Sequence, residues 1–438
     1  MPLALVWYRN DLRTEDHEPL ARAVATGWPV ATIWVADARL EEQDPLGFVR
    51  IGPWRRRFLQ ECLETLADAL ARQGHRLHVL RGEPAEILPA ILARAGGGRI
   101  FACKEPGTEE AAMEIAVERK AQVDWAWGKT LIHPDDLPMA PAALPRVYTT
   151  FRERVERAWR IRAPLPAPLL AGVPAWPGEP GFPEGWTRLA GRMAALPVAS
   201  GGFRGGFGFG QARMERVMEA AGVIDAYVET RNTLMDVDHS SRLSPWLSTG
   251  ALSPRTVEVA LAACERERGG TPSTVAFRRE LLWRDFFQYV ALQQGRRLFF
   301  RAGFRDSHGL PDEMPGDRER ALQAFESWRR GESGEPLVDA AMRELGATGW
   351  LSNRARQWAA WYLARRLPVP WTWGARWFSA CLVDDDVASN WGNWAYLAGV
   401  GNDPRPDRRF DLAWQAERYD PAGAWQRHWG VQPAAPEP

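Results

Sequence analysis

The chain has 438 residues, 45% of them hydrophobic, and carries 55 acidic and 55 basic residues. This length is sufficient for two or three domains with ordinary buried cores. No apolar run reaches about 18 residues, and the first segment becomes charged too early for a signal peptide, so we expect a cytoplasmic protein without a membrane span. The net charge of zero neither supports nor excludes nucleic-acid binding, because a local basic patch can exist within a balanced total.

Residues 1–133 are predicted to form an α/β domain with a parallel sheet, because short apolar runs alternate with amphipathic stretches. The predicted strands are 3–8, 29–35, 76–80, 99–103 and 123–127. The predicted helices are 54–72, 85–95 and 108–120, with Thr108 as the N-cap of the last one. No glycine-rich fingerprint follows the first strand, so the sequence does not indicate a nicotinamide dinucleotide site.

A proline-rich segment follows, and we expect residues 134–200 to be an extended connector. Helical periodicity dominates beyond it, which predicts a mostly helical domain over residues 201–430 and a short tail over 431–438. The stretch 201–210 is rich in glycine and phenylalanine. We interpret it as a loop rather than a phosphate cradle, because it has neither a P-loop lysine nor a clear preceding strand.

Tryptophan is unusually frequent, with 23 residues. Core packing accounts for many of them, and a stacking or cofactor site is the alternative. The cysteines lie far apart without paired spacing, which indicates neither a zinc site nor a disulfide framework.

Hydroxyl side chains surround Arg242 in the segment 240–246 (SSRLSPW). Ser244-Pro245 and Ser253-Pro254 each predict the start of a helix with proline in its first turn. Free N–H groups beside hydroxyls and an arginine suit an anion such as a pyrophosphate. Simple helix capping explains the same pattern equally well.

The segment 277–290 places an acid among large aromatic residues on one helix face, because its side chains recur every three or four residues. This face comprises Phe277, Glu280, Trp283 or Arg284, and Phe287. Two interpretations remain open: a salt bridge between Glu280 and a nearby arginine, or a pocket that stacks on a base and hydrogen-bonds its edge.

Two further stripes lie near the C-terminus. Trp350, Asn353 and Gln357 are predicted to share a helix face beside arginines that suit a phosphate. Asp386, Asn390 and Trp394 follow one another at four-residue steps, with Asp384 just upstream. The acids alone suit a metal or a solvated turn, but no further ligands stand at fixed spacing, so we predict no metal. A flavin would use the acids, the amide and the indole together.

Taken together, these stretches resemble the photolyase/cryptochrome family, and its DASH branch in particular. The matching segments are 5–13 (LVWYRNDLR), 148–152 (YTTFR), 229–232 (ETRN), 393–396 (NWAY) and 399–405 (GVGNDPR), with the densest agreement over 348–405. The resemblance implies a Rossmann-like N-terminal antenna domain, a long connector and an all-helical FAD-binding domain. It also implies FAD, a folate antenna (methenyltetrahydrofolate), and DNA containing pyrimidine dimers, preferably single-stranded, as the partner of a monomeric protein.

The resemblance further implies light-driven splitting of cyclobutane pyrimidine dimers, the activity of a deoxyribodipyrimidine photo-lyase. Its lesion contacts correspond here to Glu280, Trp283, Asn353, Gln357 and Tyr396. Its flavin contacts correspond to Tyr227, Ser240, Ser241, Arg242, Leu243, Ser244, Glu280, Asn353, Arg356, Asp384, Asp386 and Asn390. The paired histidines of (6-4) photolyases are absent from 352–357, which argues against that repair reaction.

One departure concerns electron supply to the flavin. Trp394 and Trp371 match the inner and middle members of the family's tryptophan chain, but residues 312–320 contain no outer tryptophan. The alternative function is a blue-light photoreceptor that binds flavin and DNA with little or no repair. The short tail, together with Glu280, Trp283 and Asn390, favours repair.

Overall fold

The computed structural model describes residues 1–177, 202–235, 238–305, 317–405 and 407–433. Its N-terminal part is a parallel five-stranded sheet with strand order β3-β2-β1-β4-β5. The strands are β1 Leu3–Tyr8, β2 Val30–Ala36, β3 Leu77–Arg81, β4 Gly98–Cys103 and β5 Val123–Ala126. The helices that accompany them are α1 Glu18–Ala25, α2 Pro53–Ala71, α3 Pro84–Arg94 and α4 Thr108–Glu118.

The sheet is covered on both faces, as the unbroken apolar runs of its inner strands require. In β1, Ala4, Val6 and Tyr8 join one core, while Leu5 and Trp7 join the other. The predicted parallel α/β fold is therefore confirmed. Its five strands lie where the sequence places them, to within a residue or two.

One helix in this part was not predicted, and one predicted helix cap is wrong. Helix α1 was not predicted, because it is short and follows a run of polar residues. Thr108 is the first residue of α4 rather than its N-cap, which is Gly107, and no side chain caps this helix. The acidic residues Glu109 and Glu110 still favour the helix start through the helix dipole.

The segment predicted as an extended connector is partly helical. It contains α5, Tyr148–Ala158, whose buried residues include Tyr148, Phe151 and Val155. Their spacing gives α5 an apolar stripe despite the neighbouring prolines, so the expectation of an extended chain is wrong for these residues. Residues 178–200 of the predicted connector lie outside the described part of the chain.

The remaining described residues form a helical assembly. Its helices are α6 Phe207–Met218, α7 Tyr227–Thr230, α8 Ser244–Ser248, α9 Pro254–Arg268, α10 Pro272–Gln294, α11 Arg318–Arg330, α12 Pro336–Thr348, α13 Asn353–Arg366, α14 Trp371–Cys381, α15 Val387–Leu397, α16 Leu412–Tyr419 and α17 Ala424–His428. Within the described residues from 202 onward there is no β-strand. The prediction of a mostly helical second part is confirmed.

The predicted loop 201–210 ends earlier than expected, because α6 already begins at Phe207. Its glycines permit close packing instead of phosphate binding. A Cβ atom at Gly210 would lie 2.7 Å from Cγ of Trp246. Gly210 therefore allows α6 to pack directly on that indole.

A buried polar contact joins the sheet to the helical part. Asp16 accepts hydrogen bonds from Ser253 Oγ and from Arg255 Nε, the latter at 2.9 Å, and Arg255 Nη2 lies 2.8 Å from its other oxygen. Ser253 is the N-cap of α9, as the Ser-Pro signal predicts. The anion at this helix start is thus a carboxylate of the protein itself.

No helix in the described ranges combines the length and the apolar character needed to span a bilayer.

Candidate functional site

Two cavities open among the helices, and we name each after one acid. The Glu280 cavity has a volume of about 360 Å³. The Asp386 cavity has a volume of about 240 Å³. They share part of their walls, including Ser240, Arg242 and Asn353, so they form one continuous cleft. Its size suits a ligand larger than a single base.

The predicted lesion contacts all line the Glu280 cavity. These residues are Glu280, Trp283, Asn353, Gln357 and Tyr396. Helix α10 presents Glu280, Trp283 and Phe287 at successive turns, as its periodicity predicts, whereas Phe277 is buried against Tyr227. The helical stripe is therefore divided between the cavity wall and the core.

Glu280 forms an ion pair with Arg231, so the salt-bridge interpretation of this acid is confirmed. The pair is about one-third exposed, at 33% for Arg231 and 35% for Glu280, and both residues also line the cavity. In this arrangement the carboxylate accepts hydrogen bonds. The pair can open when a ligand offers Arg231 another anion.

Trp283 is held between two tyrosines. Its ring stacks on Tyr148 with centroids 3.6 Å apart and contacts Tyr396 edge-on at 6.1 Å. Tyr148 in turn donates a hydrogen bond of 2.7 Å to the carbonyl of Arg279. This packing fixes the indole plane at the cavity wall, where an aromatic ligand can stack on it.

Trp350 lies outside helix α13, which begins at Asn353, so the predicted single-face stripe with Asn353 and Gln357 is wrong in its details. All three nevertheless line the cleft, because the chain turns between Gly349 and Ser352. The guanidinium of Arg242 lies 4.0 Å from the Trp350 ring centroid. This cation–π contact places a positive charge on the shared wall of the two cavities.

The Asp386 cavity contains the predicted flavin contacts of the C-terminal segment. Asp384, Asp386, Asn390 and Trp394 all line it, as their spacing predicts. Ser240, Ser241, Arg242, Leu243, Ser244, Asn353 and Arg356 complete its predicted set. The other predicted contacts, Tyr227 and Glu280, line the neighbouring cavity.

The three consecutive acids each have a separate cation. Arg356 Nη2 lies 2.8 Å from Asp384, and Arg55 Nη1 lies 3.1 Å from Asp385. Lys129 Nζ lies 3.8 Å from Asp386. No group of three or more histidine, cysteine or acidic side chains within the described residues is arranged to hold a metal ion.

Asp386 caps helix α15 by accepting a hydrogen bond of 2.9 Å from the amide of Ser389, and it accepts another of 2.6 Å from Gln288. Burial alone would raise its pKa, but the charge of Lys129, followed by that of Arg284, holds the pKa below its usual value. Asp386 is therefore a fixed anion. Its neighbour Asp385 differs, because burial outweighs Arg55 and raises its pKa.

Asn390 donates both amide hydrogens to the protein, at 2.9 Å to the carbonyl of Ala375 and 2.8 Å to Ser379 Oγ. Its carbonyl oxygen remains as the atom that can serve a ligand. The side chain has no acidic proton, whether it donates to the protein or accepts from a ligand.

The cleft also contains buried polar atoms that suit a bound molecule. The indole N–H groups of Trp350 and Trp394 are buried and have no hydrogen-bond partner among the described residues, although both rings line the Asp386 cavity. An apolar cavity would not leave such donors in its wall. Hydroxyls, arginines, acids and unpaired indole donors together fit a flavin dinucleotide.

Trp371 lies apart from this lining. Its ring contacts Trp391 at 5.8 Å, and its Nε1 donates a hydrogen bond of 2.9 Å to the carbonyl of Arg301. Trp394 contacts Phe378 at 5.0 Å and Trp328 at 6.1 Å. Trp371 and Trp394, the two predicted electron-transfer residues, therefore contact different aromatic partners. The stretch 312–320, which lacks the outer tryptophan, lies partly outside the described residues.

Several lining residues were not predicted as site residues. They are Arg231, Asn232, Thr233, Ser352, Ser389, Asn393, Leu397 and Arg408 in the Glu280 cavity. Arg231 follows Tyr227 by four residues, a helical signal that could have identified it. Lys129 has no such local signal, because it stands far from Asp386 in the sequence.

The chain is similar to known proteins over nearly its whole length. Residues 4–169 match the family described as DNA photolyase, and residues 277–433 match the family described as the FAD binding domain of DNA photolyase. A cryptochrome DASH of Gloeobacter violaceus is 43% identical to this chain, over 98% of this chain and 87% of its own.

Two solved structures show the same fold. A Synechocystis cryptochrome is 38% identical, has a TM-score of 0.90, and matches over 98% of this chain and 88% of its own. A photolyase from the archaeon Sulfolobus tokodaii, solved with two FAD molecules, is 25% identical, has a TM-score of 0.76, and matches over 98% and 90%. The chain therefore belongs to the photolyase/cryptochrome family, among the DASH cryptochromes, and contains the family's FAD-binding domain.

Proposed function

We propose that this protein uses blue light to split cyclobutane pyrimidine dimers, a carbon–carbon lyase reaction, preferably in single-stranded DNA. The observation that carries the proposal is the continuity of the two cavities. It brings Glu280 and Trp283, which suit a pyrimidine dimer, into one cleft with Asp386 and Trp394, which suit a flavin.

The cofactor in this proposal is FAD. When bound and reduced, it would supply the light-excited electron that opens the dimer and would take that electron back when the bases separate, so the reaction has no net redox change. Arg242 and the hydroxyls of Ser240, Ser241 and Ser244 would bind its phosphates. The other proposed contacts are Tyr227, Leu243, Glu280, Asn353, Arg356, Asp384, Asp386 and Asn390.

Asn390 has a specific role in this assignment. An amide cannot release a proton as a carboxylic acid can, so this side chain offers the cofactor no acid. Its two N–H donors are already used by Ala375 and Ser379, which keeps its orientation constant. The environment thereby favours an anionic reduced cofactor, the form that repair needs.

The lesion would occupy the Glu280 cavity. Trp283 stacks on its bases, and Asn353, Gln357 and Tyr396 bind their edges. A DNA phosphate can attract Arg231 away from Glu280, after which the carboxyl group, in its protonated form, can donate a hydrogen bond to the reduced dimer. Single-stranded DNA is preferred in this proposal, because no base pair has to be opened before the lesion enters.

We further propose a folate antenna, methenyltetrahydrofolate, bound at the N-terminal part, on the resemblance to the DASH branch. The archaeal photolyase with two FAD molecules makes a second flavin the competing outcome. Chromatography of the small molecules released from purified protein distinguishes a folate from a second FAD. We also expect a monomer located in the cytoplasm. Gel filtration tests the first expectation and cell fractionation the second.

Blue-light treatment of a dimer-containing single-stranded oligonucleotide with the reduced protein tests the repair proposal. We expect intact thymines to reappear only under illumination, and more slowly when the same lesion lies in a duplex. Flavin photochemistry without restored thymines would contradict repair and favour the photoreceptor. A purified protein without flavin absorbance would contradict both functions.

A further inference from the structure

Lys129 is unusual in this chain for its residue type and its burial. The basic residues number 55, and only three of them are lysines. Lys104 and Lys120 are exposed at the surface, whereas Lys129 is 8% exposed. A buried ammonium group is costly unless it has partners or a task.

The ammonium group of Lys129 lies between two carboxylates from different parts of the molecule. Its Nζ atom is 3.6 Å from Glu105 Oε2 and 3.8 Å from Asp386 Oδ2, and it donates a hydrogen bond of 3.4 Å to the carbonyl of Ser248. Glu105 follows β4, while Asp386 caps α15 in the wall of the proposed flavin site. Lys129 therefore connects the N-terminal sheet region with that wall.

The backbone around Lys129 is fastened to α10, so the side chain is held in place. Arg284 donates a hydrogen bond to the Lys129 carbonyl. Asp285 accepts hydrogen bonds from the amides of Leu131 and Ile132 at 3.0 and 2.9 Å. The helix that presents Glu280 to the cleft thus also positions Lys129 against Asp386.

Charge balance gives this contact a function beyond packing. Asp384 and Asp385 are paired with arginines, whereas Asp386 is paired with Lys129. Asp386 is also the acid whose pKa lies below its usual value against the effect of burial, with Lys129 as the main opposing cause. Without Lys129, the buried charge of Asp386 would depend on the weaker effect of Arg284 for compensation.

We propose that Lys129 is a positioning residue of the flavin site, acting through Asp386 to keep that carboxylate charged and oriented and to lower the cost of a reduced, anionic flavin nearby. The inference rests on the proposed FAD site and concerns how the N-terminal part contributes to it. Lys129 does not line either cavity, so its effect on a ligand is electrostatic and indirect.

The test compares full-length Lys129→Met with wild type, with Lys129→Arg, and with Lys120→Met as a matched control. Lys120 pairs with Glu86 at the surface. Two quantities are measured: the affinity of the deflavinated protein for FAD, and the midpoint potential of the bound flavin. We expect Lys129→Met to bind FAD on the order of tenfold more weakly, because the carboxylate of Asp386 in the wall of the site loses its main compensating cation.

The midpoint potential of the flavin distinguishes a positioning role of Lys129 from a purely structural one. Lys129→Met should shift it to more negative values, because a nearby positive charge stabilises the reduced flavin. Lys129→Arg should keep the wild-type potential, and Lys120→Met should change neither quantity. A purely structural lysine would lower the unfolding temperature of the deflavinated protein without changing the potential of the FAD that it retains.

If Lys129→Met does not fold, Lys129→Gln replaces it, since glutamine keeps hydrogen-bonding groups beside both carboxylates. Wild-type affinity and potential in the neutral variant would overturn the inference. Failure of the wild-type protein itself to bind FAD would instead overturn the proposed function, so the two failures are distinguishable.

Discussion

The ion pair between Glu280 and Arg231 determines whether the carboxyl group in the cleft is available to a ligand. The carboxylate that the proposed reaction needs is paired with an arginine, and both side chains remain about one-third exposed. Such a pair contributes little to stability at this exposure. It is better understood as a pair that DNA can open, since a phosphate competes directly for the guanidinium.

Glu280→Gln tests this residue. The amide still donates a hydrogen bond, but it cannot gain or lose a proton and it cannot form an ion pair with Arg231. We expect repair by the reduced protein to slow roughly fivefold or more, the difference between a charge-assisted and a neutral hydrogen bond. FAD content, measured by absorbance, should stay close to that of the wild type, because Glu280 is one of twelve proposed FAD contacts.

Glu215→Gln is the matched control, because Glu215 lies on α6 and contacts Gln211 at the surface. Its repair rate should equal that of the wild type. An unchanged rate in Glu280→Gln would remove this acid from the proposed chemistry.

At the scale of elements, α10 performs two tasks on opposite faces. One face presents Glu280, Trp283 and Phe287 to the cleft, and the other holds the chain segment after β5 through Asp285. Asp285 is fully buried, and burial raises its pKa from 3.8 to about 7 against the two backbone N–H groups that lower it. The joint between α10 and the sheet region is therefore sensitive to pH.

Asp285→Asn tests this sensitivity. Because the pKa of Asp285 is raised in the folded protein, the folded chain holds a proton on this carboxyl group between pH 3.8 and about 7, whereas the unfolded chain has released it. The stability that this proton contributes is lost as the pH rises through that window. We expect the unfolding temperature of the wild type to exceed that of the variant most near the acidic end, with the difference shrinking toward neutral pH.

Expressed as free energy of unfolding, the difference between wild type and variant changes by at most about 1.4 kcal/mol per pH unit, because a single proton is involved. Asp68→Asn, an exposed change on α2, should show no such narrowing. A difference that is constant with pH would mean that Asp285 is ionised in the folded protein across the whole window.

Helices α14 and α15 carry the aromatic residues proposed to supply electrons. We expect Trp371→Phe to lose most of the photoreduction of oxidised FAD, because phenylalanine is much harder to oxidise than tryptophan. Repair by pre-reduced protein should remain nearly normal. Absorbance under blue light measures the first quantity and restored thymines the second.

Trp176→Phe is a suitable control for this experiment, since that ring contacts His78 in the sheet region, far from the cleft. Normal photoreduction in Trp371→Phe would point to Trp328, whose ring contacts Trp394, as the alternative electron donor.

At the scale of the whole molecule, buried charge contacts join the two parts. Asp16 meets Ser253 and Arg255 at the start of α9, and Lys129 and Arg55 reach the acids beside the cleft. These contacts are directional and shielded from water, so they define how the parts are oriented. The site in the helical part is consequently completed by charges from the sheet region.

Asp16→Asn tests the joint. Asp16 has a φ of 51°, a conformation that asparagine also tolerates, so the substitution changes charge with little backbone strain. We expect a loss of about 3 kcal/mol in the free energy of unfolding, because Arg255 would keep a buried, uncompensated charge. Denaturant unfolding followed by tryptophan fluorescence measures it.

Glu18→Gln is the matched control, since Glu18 pairs with the partly exposed Arg22 of α1, and Arg22 keeps Asp124 as a second partner. This substitution should cost no more than about 0.5 kcal/mol. Equal losses in the two variants would show that the Asp16 contact does not hold the parts together.

Local patterns in the sequence were sufficient to predict the strands of the sheet and the helical second part, whereas the resemblance to the photolyase/cryptochrome family supplied most of the predicted cleft residues. Periodicity decides which residues share a strand face or a helix face, so Glu280 with Trp283, and Asp386 with Asn390 and Trp394, were placed together correctly. The helix α5 was missed, because neighbouring prolines masked its apolar stripe.

Only the tertiary structure decided which partners these residues meet. Arg231 against Glu280, Asp16 at the start of α9, and Lys129 beside Asp386 each join residues that are between 49 and 257 positions apart. No periodic pattern connects such residues, because their contact depends on how whole elements pack. The types of side chain in the cleft are thus readable in the sequence, whereas their charge partners are set by the fold.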